Sequence, residues 1–274
     1  MQQDRRNTTR HGSTRIRRAG SANDSSYSPP PTVLVTGGGR RIGAAIVEKF
    51  HNQGYSVIIH CNNSLQAAGR LAGDLNRRRR HSALVLQANL TLEHQVTTLA
   101  RQAPLAFNRL DVVVNNASSF YPTPLGEATQ GQWDELIDSN LRSAFFLCQS
   151  LADGLRRHHG AIVNLLDIYV DHPLRNYPVY SIAKAGLQAM TRSLALELAP
   201  DVRVNGVAPG AILWPEDELD AEASAAHQAV LDKVPLGTTG RPEDIAEAVY
   251  FLAAEASYVT GEVIRVDGGR RLNL

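Results

Sequence analysis

The sequence predicts a single α/β domain, doubly wound, with a mostly parallel sheet of seven strands. Three observations predict it. Short β-branched runs recur along the chain from Thr32 onward. Their apolar residues are contiguous more than alternating, the pattern of strands buried on both faces. Stretches of helical periodicity lie between most of these runs, and such alternation with short connections builds a parallel sheet through right-handed crossovers.

The segment 1–31 differs in kind from the rest. It carries six arginines, many Ser and Thr, and hardly any large apolar residues. Such a composition cannot bury a core, so a disordered basic extension is expected. It lacks the apolar stretch of a secretory signal, and a cytoplasmic location is expected, with organelle import through this extension as the lesser alternative. The folded domain is expected over 32–274. It opens on the strand "TVLVT" (32–36), followed by the glycine turn "VTGGGRRIG" (35–43) and the helix "IGAAIVEKFHNQG" (42–54), which Gly54 closes. The second strand is "SVIIH" (56–60). The next helix ends in "NRRRRH" (76–81), where cations suit the helix dipole on a solvated surface. Strands follow at "SALVLQA" (82–88), "LDVVVNNA" (110–117), "AIVNLL" (161–166), "VRVNGVA" (202–208) and "EVIRVD" (262–267). A substrate lid is expected around 210–237.

Bulk properties narrow the function. Formal net charge is +1, so nothing global points to nucleic acid. No apolar run reaches the roughly 18 residues of a membrane span. Cys61 and Cys148 are the only cysteines, which is no disulfide framework and suits a reducing compartment. The histidines show no metal-ligand spacing, and no metal is expected.

The glycine turn sits between a strand and a helix, the context of a Rossmann-like dinucleotide site. Gly37 permits the tight turn, Gly43 lets helix and strand pack closely, and N–H groups at the helix start face a pyrophosphate. The spacing is G-x-x-x-R-x-G rather than the commoner G-x-G-x-x-G. A carboxylate at the end of the second strand would select NAD. This chain has "HCNNS" (60–64) there, with Arg40 and Arg41 in the glycine turn. A 2′-phosphate wants cations and neutral donors, so NADP(H) is favoured, with Asn62, Asn63 and Ser64 as neutral contacts. Further along, Tyr180 and Lys184 lie at i and i+4 on one helix face. An ammonium beside a phenol stabilises the phenolate, so Lys184 is expected to lower the Tyr180 pKa towards the working range.

The glycine turn, "NNAS" (115–118), Asn140, Tyr180-x-x-x-Lys184 and Pro209-Gly210 resemble the short-chain dehydrogenase/reductase family over essentially all of 32–274. The resemblance implies that Asn140 relays protons through water to Lys184, that Lys184 also binds the nicotinamide ribose, and that Asn116 and Ala117 pack beside the cofactor. Ile42, His60, Asn89, Leu90, Pro209 and Gly210 complete the implied cofactor contacts. Within that family the chain is more similar to pteridine reductases, through Arg41, "NNASSFYPTPL" (115–125), Asp167 thirteen residues before Tyr180, and "VDGG" (266–269). This likeness implies that Phe120 stacks on a pterin, that Ser118 touches pterin or cofactor, and that Tyr177 and Leu213 line the pocket. Asn89 replaces the family's frequent Asp near the adenine. A homotetramer is implied, with "GGRRLNL" near a neighbouring subunit's site.

Asp167 carries the substrate argument. Ketone reduction builds negative charge on oxygen, which a nearby carboxylate would oppose. Reduction of C=N needs a protonated nitrogen, which an anion stabilises. The expected activity is therefore NADPH-dependent reduction of dihydropterin to tetrahydropterin, with dihydrofolate as a second substrate. The alternatives are a reductase or dehydrogenase acting on a ketone or alcohol, and a non-catalytic dinucleotide-binding protein.

Overall fold

The computed structural model describes residues 29–212 and 228–273. Leu213, most of the expected lid and nearly all of the N-terminal extension lie outside the described residues. Seven strands form one sheet: β1 (Thr32–Val35), β2 (Ser56–Cys61), β3 (Ala83–Gln87), β4 (Val112–Asn115), β5 (Ala161–Leu165), β6 (Arg203–Pro209) and β7 (Val263–Val266). Their order is β3-β2-β1-β4-β5-β6-β7, and all six pairings are parallel. The helices are α1 (Arg41–Asn52), α2 (Leu65–Arg78), α3 (Glu93–Ala106), α4 (Gln130–Ile137), α5 (Ser143–Arg157), α6 (Pro178–Leu198) and α7 (Pro242–Tyr250).

The contiguous apolar runs are explained by two cores. In β1, Val33 and Val35 pack on one face with Ile46 and Phe50 of α1, Leu75 of α2 and Ile245 of α7. Leu34, between them, packs on the other with Leu99 of α3, Leu151 of α5 and Leu198 of α6. Successive side chains point to opposite faces of a strand, so a strand covered on both sides reads as a nearly continuous apolar run. Full burial of one such side chain contributes roughly 1.5–3 kcal/mol.

Local signals set the ends of elements. Thr129 caps α4: its Oγ1 accepts from Gln132 N at 3.2 Å, while Gln132 Oε1 accepts from Thr129 N at 2.9 Å. Between α4 and α5 the helix widens into a π turn over Asp138–Arg142, and α6 opens with Pro178 in its first turn. Among the described residues no helix is long and apolar enough to cross a membrane, and no group of three or more His, Cys, Asp or Glu could hold a metal ion.

Candidate active site

The sheet order reverses at β1, whose neighbours are β2 and β4. The turns after β1 and β4 diverge there and leave a crevice at the carboxyl ends of the strands, where open α/β sheets bind ligands. Two side chains staple these turns. Thr36 Oγ1 accepts from the N–H groups of Asn116 and Ala117 at 2.9 and 3.0 Å. Asn116 Nδ2 donates to Thr36 O and Gly37 O at 2.8 and 3.1 Å. A Cβ at Gly43 would collide with Gly37 O and the Asn116 amide, so only glycine fits. Gly37 takes φ +63° and Arg41 takes φ +52°. A left-handed arginine is strained by about 1–3 kcal/mol, and such strain clusters where a ligand is clamped.

His60, at the end of β2, holds the glycine turn from below. Its Nδ1 accepts from Gly37 N at 3.2 Å and its Nε2 donates to Ala88 O at 3.0 Å. Gly38 N donates to His60 O at 2.9 Å. Burial lowers the imidazole pKa to about 4. His60 therefore stays neutral and spends both ring nitrogens on the protein.

One half of the crevice, about 630 Å³, is lined by Gly37, Arg40, His60, Asn62, Asn63, Ser64, Asn89, Leu90, Ala117 and Ser118, with Thr91, Ser119, Glu135 and Ser139. Asn89 Oδ1 accepts from Thr91 N and Thr91 Oγ1 at 3.0 and 2.9 Å, so its amide N–H groups are the side-chain donors it keeps. The other half, about 660 Å³, brings Arg41, Ile42, Gly43, Asn116 and Phe120 together with Asp167, Tyr180, Lys184, Pro209 and Gly210. Tyr169, Leu174, Ile212 and Arg270 also line it. Sequence reasoning did not single out Tyr169, Leu174 or Ile212, and it expected the segment holding Arg270 near a neighbouring subunit's site. Arg270 carried the only signal, a basic pair after the final glycines.

A dinucleotide fits these residues. The backbone turn admits no side chain at Gly43, the first turn of α1 leaves its N–H groups without helical partners, and the crevice continues past both arginines from neutral donors to the reactive groups.

Those groups sit at the start of α6 and in the loop after β5. Tyr180 Oη donates to Asp167 Oδ2 at 2.7 Å, and Tyr169 N donates to Asp167 Oδ1 at 3.0 Å. Burial raises the Asp167 carboxyl above the usual carboxylate range, against the hydrogen bonds from Tyr169 and Tyr180 and the charges of Lys184 and Arg270. The Tyr180 phenol is also raised, first by burial and then by the carboxylate beside it. This overturns the expectation that Lys184 brings the phenol down. Lys184 Nζ instead donates to Leu165 O at 2.9 Å and lies 5.7 Å from the Tyr180 ring centroid. Burial lowers the Lys184 ammonium to about 8, with Asp167 opposing.

Asn140 is buried in the π turn, where Nδ2 donates to Leu136 O at 2.9 Å, Ser119 O at 3.0 Å and Ser139 Oγ at 3.2 Å. Its Oδ1 is buried without a hydrogen-bond partner among the described residues. Such turns are frequent at functional sites. Phe120 is 54% exposed and stacks on Tyr177 at 4.6 Å between centroids and 11° between planes. Its edge-on partner is Tyr180, at 4.8 Å and 76°. Tyr177 thus backs Phe120 rather than joining the crevice wall.

Comparison with known proteins agrees with this architecture. A family model described as enoyl-(acyl carrier protein) reductase matches residues 38–271. Pteridine reductase 1 of Leishmania tarentolae is 36% identical over 278 residues, covering 86% of this chain and 95% of that protein. The 3beta-hydroxysteroid dehydrogenase 1 of Eggerthella lenta is 34% identical, covering 86% and 92%. A 3-oxoacyl-(acyl-carrier-protein) reductase of Staphylococcus aureus is 34% identical, covering 85% and 95%.

Proposed function

The chain belongs to the short-chain dehydrogenase/reductase family, and from that premise we propose that it reduces dihydropterins with NADPH, and dihydrofolate as a second substrate. One observation carries the proposal: the tyrosine hydroxyl donates to a buried carboxylate, 2.7 Å away. That contact has two chemical consequences. A phenol raised by burial and by an adjacent carboxylate keeps its proton, so Tyr180 enters the reaction as the neutral phenol and not as a phenolate. The site therefore favours reduction over alcohol oxidation, which draws on a phenolate. A carboxylate also disfavours alkoxide and favours a protonated nitrogen, as a C=N substrate requires.

NADPH, when bound, supplies the hydride. Arg40, Arg41, Asn62, Asn63 and Ser64 are the residues suited to its 2′-phosphate, and Ser118 to its phosphates or the pterin. Phe120, held by Tyr177, offers a flat apolar face to a planar ring. Asp167 accepts from ring N–H groups, or takes up the Tyr180 proton and hands it through water to ring nitrogen, after which solvent reprotonates Tyr180. Lys184 keeps positive charge beside the pair, and the free Oδ1 of Asn140 suits a relay water. The relative named pteridine reductase 1 supports this reading.

A second reading, reduction of a ketone, is favoured by the relatives named 3-oxoacyl-(acyl-carrier-protein) reductase and 3beta-hydroxysteroid dehydrogenase. Steady-state rates for dihydropterin, dihydrofolate and simple ketones, each with NADPH and NADH, decide between them. The expected result is the highest kcat/KM for dihydropterin with NADPH. Asp167→Ser should lower it about 10²–10⁴-fold, the usual contribution of a positioned proton-transfer group, while the NADPH Kd stays unchanged. A serine variant as fast as the parent makes Asp167 structural and removes the case for a C=N substrate.

A further inference from the structure

The loop that carries Asp167 is strapped down by the turn after β7. Asp267 shapes that turn: Oδ1 accepts from Gly269 N at 3.0 Å and Oδ2 from Arg271 N at 2.9 Å. Gly268 and Gly269 take φ +60° and +83°, which reverses the chain so that Arg270 and Arg271 turn back over the loop after β5. Arg271 then lies 3.4 Å from Asp171 Oδ2, which also accepts from Arg265 Nη2 at 2.5 Å. Arg270 takes the inner position. Its Nη2 donates to Tyr169 Oη at 2.7 Å, its guanidinium lies 5.5 Å over the same ring, and it lines the substrate half of the crevice. Tyr169 in turn donates its N–H to Asp167. A continuous path, Arg270 to Tyr169 to Asp167 to Tyr180, therefore joins the turn after β7 to the reactive phenol.

We propose that Arg270 is a positioning residue that, through Tyr169, orients Asp167 and holds it in its ionised, proton-accepting form. The chemical need is specific. Burial alone favours the neutral carboxyl, a weaker acceptor for the Tyr180 hydrogen bond than the carboxylate. The groups facing it are Tyr180 and Lys184 from α6, Tyr169 from its own turn, and Arg270 from the turn after β7. Lys184 donates to Leu165 O and loses charge above about pH 8. A guanidinium, unlike an ammonium, is a cation at any working pH. Arg270 thus adds to the stronger pull of Lys184 on the carboxylate and remains when Lys184 loses its charge. Tyr169 also matters, because it fixes where that cation sits and ties the loop backbone to the same carboxylate.

The inference rests on Asp167 being the group that meets substrate, and its test is chosen to survive failure of the pterin assignment. Asp167 is titrated directly by carboxyl carbon NMR of protein labelled at aspartate, with Asp167→Asn identifying its signal. Arg270→Met keeps the aliphatic length and removes the charge. It should move the Asp167 midpoint upward by about one pH unit, a tenfold gain in proton affinity. Tyr169→Phe keeps the ring but not the hydroxyl, and should move it the same way by less. Arg270→Lys keeps the charge without the planar fork, and should restore most of the shift while leaving the loop less ordered. Under the proposed reaction, the limb of the kcat/KM profile for dihydropterin that follows Asp167 should move with the midpoint, with the NADPH Kd unchanged. An Asp167 titration identical in the parent and in both Arg270 variants would overturn the proposal, whatever the substrate proves to be. A protein inactive on dihydropterin whose midpoint still moves keeps Arg270 in this role and rejects only the substrate assignment.

Discussion

At the scale of single residues, the site is governed by one carboxylate placed against one phenol. The spacing of Tyr180 and Lys184 made both groups legible in the sequence, because i and i+4 share a helix face. Their electrostatics were not legible, since Tyr180 is raised first by burial in the folded site and then by Asp167, which sits on a different element. Lys184 yields a pH prediction. Its ammonium is lowered to about 8, so it is charged below that pH and loses its charge above it. The kcat/KM for NADPH, which reports the free enzyme, should be level up to about pH 8 and then fall towards tenfold per unit. A plateau lasting to pH 9.5 would mean that the lysine keeps its ordinary affinity for protons. The same shift has a stability consequence. The unfolded chain binds this proton more tightly than the folded one, so the cost of charging Lys184 fades as pH rises from about 8 towards 10.5.

At the scale of elements, the strands were readable because burial on both faces leaves a plain mark, a nearly continuous apolar run. The "LDVVVNNA" run shows the limit of that mark: the paired strand is only Val112–Asn115, and the following residues leave the ladder to form the crevice wall. The π turn at Asp138–Arg142 left no signal, since no Gly or Pro interrupts the helical pattern there. The glycine turn was legible as a motif, but its support by His60 was not, because the bonds to Gly37 and Ala88 join three parts of the chain. That support makes a second prediction. The neutral imidazole binds protons less tightly than in the unfolded chain, about 4 against 6.5. Its contribution is intact above pH 6.5 and is lost as pH falls towards 4, a cost on the order of 3 kcal/mol. Urea unfolding at pH 7 and pH 4.5 should show a larger acid penalty in the parent than in His60→Gln. Equal penalties would remove His60 from the account.

At the scale of the whole molecule, two surfaces are unfinished in the single chain. Phe145, Phe146, Leu141, Met190 and Leu194 line an apolar groove between α5 and α6, with both phenylalanines more than a third exposed. Among the described residues β7 has β6 as its one strand partner, and Leu236 and Leu272 stand exposed at 75% and 79%. Two separate apolar faces suit a homotetramer. Light scattering at micromolar concentration should give four times the chain mass, and Phe146→Glu should reduce it to dimers or monomers; a monomeric parent would sink the expectation. The sheet order has one more consequence, and it concerns synthesis rather than chemistry. The crevice joins the turn after β1 to the turn after β7, and every strand between them reaches its neighbour by a crossover. No hairpin can build any part of it early. Contacts of such long sequence separation form slowly and late, so partial chains expose sticky strands without gaining a nucleotide site. For this protein, a crevice complete from the turn after β1 to the turn after β7 is also the sign that the chain has finished folding.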